Sequence, residues 1–131
     1  MSLFILHSKE HPISNSLEDK LNQALLYVFN EEGITDSSIN LKILNDSDMK
    51  ELNKKFRNKD GTTNVLSFTN DDISKSITRN LGDIAISYDF VKRESEELKK
   101  NFDDHMIHML IHGVYHILGF DHENDEMADI M

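Results

Sequence analysis

Three histidines near the end of the chain, His112, His116 and His122, have a spacing that can hold one metal ion. The stretch reads H-G-V-Y-H-I-L-G-F-D-H, and a helix places His112 and His116 on one face, one turn apart. Gly119 tolerates the left-handed conformation that ends many helices, so the chain can turn and bring His122 back toward the other two rings. Three protein ligands with one open position, at about 2.0–2.1 Å for imidazole nitrogens, are typical of a catalytic zinc site. We therefore predict an enzyme with one bound zinc ion, although imidazole also accepts nickel, cobalt or iron.

The same predicted helix carries two further histidines, His105 and His108. At 100° per residue, all four histidines of the helix fall within one narrow stripe, so the stripe alone does not select the ligands. A histidine on an amphipathic helix is more often solvated or hydrogen-bonded than bound to a metal. His122 favours the metal site, because it lies beyond the helix end, next to Asp121, where a third ligand is needed. We expect His105 and His108 to support the site or to face solvent.

Zinc proteases of the metzincin class provide an alternative interpretation of this segment. Their motif, H-E-x-x-H-x-x-G-x-x-H, has the same histidine spacing and the same glycine position. These proteases use the glutamate after the first histidine as the general base for the metal-bound water. Here that residue is Gly113, which has no proton-accepting side chain. Peptide hydrolysis therefore remains an alternative that would need a base from elsewhere in the chain.

Two other blocks of sequence accompany the histidines. The first reads L-N-K-K-F-R-N-K-D at 52–60 and continues as T-T-N-V-L-S-F at 62–68, and the second reads L-G-D-I-A-I-S at 81–87. With H-G-x-x-H-x-x-G-[YF]-D-H and the acidic, methionine-containing stretch after it, they resemble the YbeY family of metal-dependent endoribonucleases. The blocks occur in the family's order and cover roughly a third of the chain. Thr62, Thr63 and Asn64 depart from the family's usual Pro-Thr-Asp, and Asn64 keeps a hydrogen-bonding group but removes a charge.

The resemblance implies both a function and a set of site residues. In the family the three motif histidines bind the metal, which corresponds to His112, His116 and His122, and the arginine implicated in activity corresponds to Arg57. It also implies single-strand-directed cleavage of RNA in ribosomal RNA maturation, notably at the 3′ end of 16S rRNA, and in ribosome quality control. The expected partners are an rRNA precursor and the ribosome or its small subunit. A non-catalytic ribosome-associated module, in which the metal only stabilises the fold, is a third class of function.

Charge argues against an RNA substrate at first. The chain has a net charge of −10 and a pI near 5.0, whereas RNA binding depends on lysine and arginine contacts to phosphate. A bound divalent ion with three neutral ligands would add local positive charge. Basic residues are also concentrated, with five of the fourteen lying within residues 50–59. We interpret this run as a phosphate-contacting edge rather than a solvated helix face; its members are Lys50, Lys54, Lys55, Arg57 and Lys59.

These residues predict metal-assisted cleavage of a phosphodiester bond. Arg57 would stabilise charge on the phosphate, since its planar guanidinium matches two oxygens. Asp121 either orients a ligand imidazole or caps the turn after Gly119. Ser67 could contact substrate, although pairing with neighbouring groups is the safer interpretation, and Asp83 is equally ambiguous.

Length and composition predict one domain, residues 1–131, with enough chain to bury about two-thirds of its unfolded surface. The chain has no cysteine, so a thiolate zinc site is excluded. The apolar run at 3–6 is too short for an export signal or a membrane span, and we expect a cytoplasmic protein with no membrane or DNA partner.

Hydrophobic periodicity predicts an α+β fold, with a mixed sheet of about four strands and the metal-binding helix packed on it. Strands are expected at 3–7, around 39–43, at 64–69 and at 84–87. Helices are expected from a cap at Ser16 to about Glu31, from Asp46 or Ser47 with Met49, Leu52 and Phe56 inward, at 88–99, at 104–118, and after 124.

Overall fold

The computed structural model describes residues 3–7, 13–59, 61–69 and 80–119, which form four strands and four helices. Asp121, His122 and the helical stretch predicted after residue 124 lie outside the described residues. None of the helices in the described ranges is long and apolar enough to cross a membrane. The elements in chain order are β1 (Leu3–His7), α1 (Asn15–Glu31), β2 (Ser38–Leu44), α2 (Asp46–Arg57), β3 (Val65–Thr69), β4 (Asn80–Ser87), α3 (Tyr88–Glu97) and α4 (Phe102–Ile117).

The four strands form one mixed sheet in the order β1-β2-β4-β3. Strands β1, β2 and β4 run parallel, and β3 pairs antiparallel with β4 at the edge of the sheet. In this register Ser67 lies opposite Ile84. Parallel neighbours require a crossover, which α1 supplies between β1 and β2. The predicted mixed sheet in an α+β fold is confirmed.

Helices α1 and α4 contribute to the main hydrophobic core together with the apolar residues of β1, β2 and β4. The cap of α1 is Ser14 rather than the predicted Ser16, because the Ser14 hydroxyl accepts the backbone N–H of Leu17 at 3.0 Å. Both serines are suitable caps, but Ile13 and Leu17 belong to the buried core, so the chain enters the helix two residues earlier.

Helix α2 contributes Met49 to a second, smaller buried cluster, whose other members are Leu66 of β3 and Ala85 of β4. The prediction that Phe56 points inward is wrong, because its side chain is 56% exposed. Phe56 lies in the last turn of α2, beyond the position at which Met49 meets the sheet. Its ring contacts Phe68 on the edge strand β3, with centroids 5.2 Å apart in an edge-to-face arrangement.

Candidate active site

Helix α4 supplies the two described histidines of the predicted metal site. Asn101 caps this helix by accepting the N–H of Asp104 at 3.1 Å, so it begins two residues earlier than predicted. One face of the helix enters the core through residues such as Met106, Leu110 and Val114. The helix ends at Ile117, and Gly119 follows with a φ of 93°, the left-handed conformation that its position predicted.

His112 and His116 line a cavity of about 500 Å³ together with Arg57 from the end of α2. Phe56, the loop residues Thr63 and Asn64, and the first four residues of β3 complete its lining. Three of the four predicted site residues are therefore brought together by α2, β3 and α4. The fourth, His122, lies outside the described residues, so its ligand role stays a prediction.

Gly113 allows α4 to lie directly against the sheet. A Cβ atom at this position would come within 3.0 Å of Ser67 Oγ and of Ile84 Cδ1, closer than side chains normally pack. The Ser67 hydroxyl donates a hydrogen bond to the Gly113 carbonyl at 3.3 Å, which joins β3 to α4. The space beside position 113 is therefore occupied by side chains of the sheet.

The electrostatic environment of the cavity favours the neutral form of His112 and His116. Burial lowers the pKa of His112, and the nearby His116 and His108 lower it further. Burial also lowers the pKa of His116, with a further contribution from the positive charge of Arg57. Neutral imidazole is the form that binds a metal ion.

The described donors fit part of a metal site. His112 Nδ1 is buried and has no hydrogen-bond partner among the described residues. Within the same residues, no group of three histidine, cysteine, aspartate or glutamate side chains could hold a metal. The two imidazoles, one helical turn apart, are therefore the described part of the predicted site, which still needs a third ligand, and His122 is the predicted one.

Arg57 is held at the cavity by the structure of the chain that follows it. Helix α2 ends at Arg57, and Asn58 adopts a left-handed conformation with a φ of 55° while its N–H bonds the Lys54 carbonyl at 3.1 Å. The buried Asn53 donates its amide N–H to the Gly61 carbonyl at 3.0 Å. The role of Asn53 was not predicted from the sequence. Asparagine is a poor helix former, so its presence inside a helix is a weak signal that its side chain makes such a contact.

Asp46 fastens the loop before β3 to the rest of the molecule. Its carboxylate accepts hydrogen bonds from Ser87 Oγ at 2.8 Å and Thr62 Oγ1 at 3.3 Å. It also forms a salt bridge with Arg93, whose Nη1 lies 2.7 Å from Asp46 Oδ2. Burial opposes ionisation of this carboxyl, but the hydrogen bonds outweigh burial and lower its pKa. The loop that carries Thr63 and Asn64 into the cavity wall is thereby anchored.

Glu94 connects the cavity wall to the start of α4. Its Oε1 accepts a hydrogen bond from Asn64 Nδ2 at 3.1 Å and lies 2.7 Å from His105 Nε2. His105 is only 4% exposed, so of the two roles we expected for it, support of the site is the one its position fits. His108 is exposed beside it.

Asp83 is separated from this arrangement. Its carboxylate accepts a hydrogen bond from Asn40 on the neighbouring strand β2 at 2.8 Å. It is not among the described residues that line the cavity.

Comparison with known proteins places the chain in a family. A family model described as endoribonuclease YbeY matches residues 4–131. The chain belongs to the endoribonuclease YbeY family. Its relatives include the endoribonuclease YbeY of Francisella philomiragia, 36% identical over 135 residues that cover 100% of this chain and 84% of that protein. The endoribonuclease YbeY of Francisella tularensis is 36% identical over 138 residues, covering 100% of this chain and 79% of the relative.

The fold of this YbeY family member is similar to a solved structure. The solution structure of TM1509 from Thermotoga maritima superposes with a TM-score of 0.65 at 26% sequence identity, covering 97% of this chain and 82% of that one. The family predicted from the histidine block and the two accompanying blocks is confirmed.

Proposed function

We propose that this chain is a metal-dependent endoribonuclease whose active site is the cavity between α2, β3 and α4. The observation that carries the proposal is that Arg57, His112 and His116 line one cavity although they come from different helices. Membership of the YbeY family, whose relatives are named endoribonucleases, supports RNA cleavage as the reaction.

The proposed cofactor is one zinc ion, held by His112, His116 and His122. The support is the neutral state favoured for the two described imidazoles and the buried His112 Nδ1 without a protein partner among the described residues. When bound, such an ion supplies Lewis acidity toward a phosphoryl oxygen and a local positive charge.

The chain's own residues have separate tasks in this proposal. Arg57 binds the phosphate with two parallel N–H donors and stabilises the charge that develops on it. Lys54, Lys55 and Lys59, which are exposed on either side of Arg57 in the chain, neutralise neighbouring phosphates. Their local charge opposes the net charge of −10 of the whole chain.

We propose an rRNA precursor as the substrate, with cleavage in single-stranded RNA during maturation of the 3′ end of 16S rRNA and in ribosome quality control. The proposed partner is the ribosome or its small subunit, and the proposed location is the cytoplasm. This assignment extends the family resemblance, and the basic segment at 50–59 supports a polyanionic substrate.

The test combines RNA cleavage with metal analysis. Carefully nuclease-free protein is incubated with single-stranded RNA, with and without a chelator, and bound metal is measured for wild type, His116→Ala and His108→Ala. His108 is the matched control, since it is an exposed histidine of α4 that lies outside the lining of this cavity. We expect one ion in wild type and in His108→Ala, and loss of both metal and cleavage in His116→Ala. Equal metal content in His116→Ala and wild type would rule out this ligand assignment.

The same samples distinguish the two other classes of function. A protease would cleave casein, and its base would have to come from a residue other than Gly113, which packs against Ile84. A module whose metal only stabilises the fold would unfold when chelated and would leave RNA intact before and after chelation.

A further inference from the structure

Phe56 is an exposed aromatic residue at the edge of the candidate active site. Its side chain is 56% exposed, yet it lines the same cavity as Arg57, the next residue in the chain. One part of its ring contacts Phe68 at a centroid distance of 5.2 Å and an interplanar angle of 62°. Phe68 therefore supports the ring from the side and leaves much of its surface open.

The surroundings of Phe56 are cationic. Lys55 Nζ lies 5.3 Å from the ring centroid, and Lys54, Arg57 and Lys59 are exposed on the same short segment. An ammonium group over an aromatic ring is a weak contact at an exposed site, so a flat ligand could displace it. The displaced Lys55 could then reach a neighbouring phosphate through its flexible stem.

Aromatic rings beside a row of cations are the combination that binds single-stranded nucleic acid. Bases stack on the rings while lysine and arginine contact the backbone, and stacking accepts any base because each has a flat π-face. A bulky apolar ring at this position adds little to folding, since more than half of it stays in water. A ligand that covers the ring buries this remaining apolar surface, so the ring contributes more to binding than to folding.

We propose that Phe56 is a base-binding residue, on which an unpaired nucleobase of the RNA substrate stacks while Arg57 holds the adjoining phosphate. This inference rests on the proposed function and adds a subsite to it. It also gives a physical reason for preferring single-stranded RNA, because a base inside a duplex is already stacked and paired and cannot present its face to the ring.

The first experiment measures RNA binding by the 131-residue chain in the presence of chelator, added to prevent cleavage, after circular dichroism has shown that the fold is retained. The probe is a short single-stranded oligoribonucleotide that carries the fluorescent base 2-aminopurine, whose emission is quenched on stacking. The variants are Phe56→Leu and Phe56→Trp. The control is Phe4→Leu, another exposed phenylalanine, 52% exposed on β1 at the opposite edge of the sheet.

We expect Phe56→Leu to weaken binding by at least about 5-fold and to lose the quenching, because stacking on one ring contributes roughly 5- to 150-fold in affinity. Phe56→Trp should retain both, and Phe4→Leu should behave as wild type. The slope of log affinity against log salt should not change in Phe56→Leu, since no phosphate contact is removed. When the same oligonucleotide is annealed to its complement, its affinity should be the same for wild type and for Phe56→Leu.

The second experiment changes the RNA instead of the protein, so its first measurement is made on the wild-type protein and does not depend on how Phe56→Leu folds. An abasic nucleotide is moved along the oligonucleotide, and one position should lower wild-type affinity by about the same factor as Phe56→Leu. In the Phe56→Leu protein the abasic nucleotide at that position should have no further effect.

The inference would be overturned if no abasic position lowered the affinity of the wild-type protein for RNA. It would also be overturned if Phe56→Leu bound RNA as tightly as wild type, and the exposed ring would then be available to an apolar protein partner instead. If either of these results is obtained and the wild-type protein still cleaves RNA, only the proposed base subsite is wrong. If wild type neither binds nor cleaves RNA, the proposed function fails with it.

Discussion

Replacing Arg57 with alanine should abolish most RNA cleavage while leaving the fold and the metal in place. Arg57 is the last residue of α2, is exposed to solvent and lines the cavity beside His112 and His116. Its charge is close enough to contribute to the lowered pKa of His116. A donor in this position can reach a phosphate bound near the two imidazoles.

The expected effects on rate and on stability differ enough to be separated. Removing one preorganised donor to a developing charge costs about 10²–10³ in rate, or roughly 2.7–4 kcal/mol of transition-state stabilisation. An exposed residue at a helix end contributes much less to folding. Loss of a cation from the C-terminal turn costs about 0.3–1 kcal/mol, and alanine is itself a good helix former. The free energy of unfolding should therefore fall by no more than about 1 kcal/mol.

The assay is single-turnover cleavage of single-stranded RNA, with metal content and urea unfolding measured on the same preparations. Arg57→Lys keeps the charge but loses the planar pair of donors, so its rate should lie between those of wild type and Arg57→Ala. Lys42→Ala is the charge-matched control, because Lys42 is an exposed cation on β2 that does not line this cavity.

Near-normal cleavage by Arg57→Ala would refute the role of this residue. An equal loss of rate in Lys42→Ala would show that overall charge, not the guanidinium in the cavity, controls the reaction. An Arg57→Ala protein that is unfolded in the absence of urea would assign the residue to the fold instead.

Three further predictions test the charge, the histidines and the packing of the site. Replacing Lys54 and Lys55 with glutamine should flatten the slope of log RNA affinity against log salt by about one to one and a half units at unchanged metal content; an unchanged slope would indicate a solvated helix face. The metal-free protein should lose free energy of unfolding as pH falls below the ordinary histidine pKa of 6.5, because the unfolded chain takes up protons that folded His112 resists; urea titrations should show a smaller loss in His112→Asn. Gly113→Glu should destabilise the fold by about 1–3 kcal/mol or more through overpacking against Ile84 and should not cleave casein; a stable, proteolytic variant would contradict this.

Much of the fold could be predicted from the sequence because its elements have clear periodicities. The alternation of Ile39, Leu41 and Ile43 predicted β2, and all three side chains are buried. The four-residue spacing of His112 and His116 fixes their common face as soon as α4 forms, so this part of the site needs no tertiary information. The position of Arg57 beside them does need it, and it was predicted only through the family resemblance.

Phe56 shows what periodicity cannot supply. Met49, Leu52 and Phe56 follow a helical spacing, which predicts one inward face, but the pattern does not say how far the sheet extends beneath that face. Met49 meets the buried cluster, whereas Phe56 reaches the edge strand and stays exposed. The hydrogen-bonded link from Asn64 through Glu94 to His105 could not be predicted from the sequence either. Its members come from three separate segments, and each is an ordinary polar residue in its own segment.

Gly113 bears on the chemistry of the site both as a sequence position and as a packing contact. In the sequence it counts against a protease only by lacking a carboxylate, which leaves open a base supplied from elsewhere. In the structure it has a positive role, because the missing side chain lets α4 approach Ser67 and Ile84, and the histidines on either side of it along the helix line the same cavity as Arg57. A glutamate there would meet Ile84 and Ser67, which itself lines the cavity, so these side chains would have to shift. The position after the first histidine is thus a packing contact between α4 and the sheet, and a protease base would have to come from elsewhere in the chain.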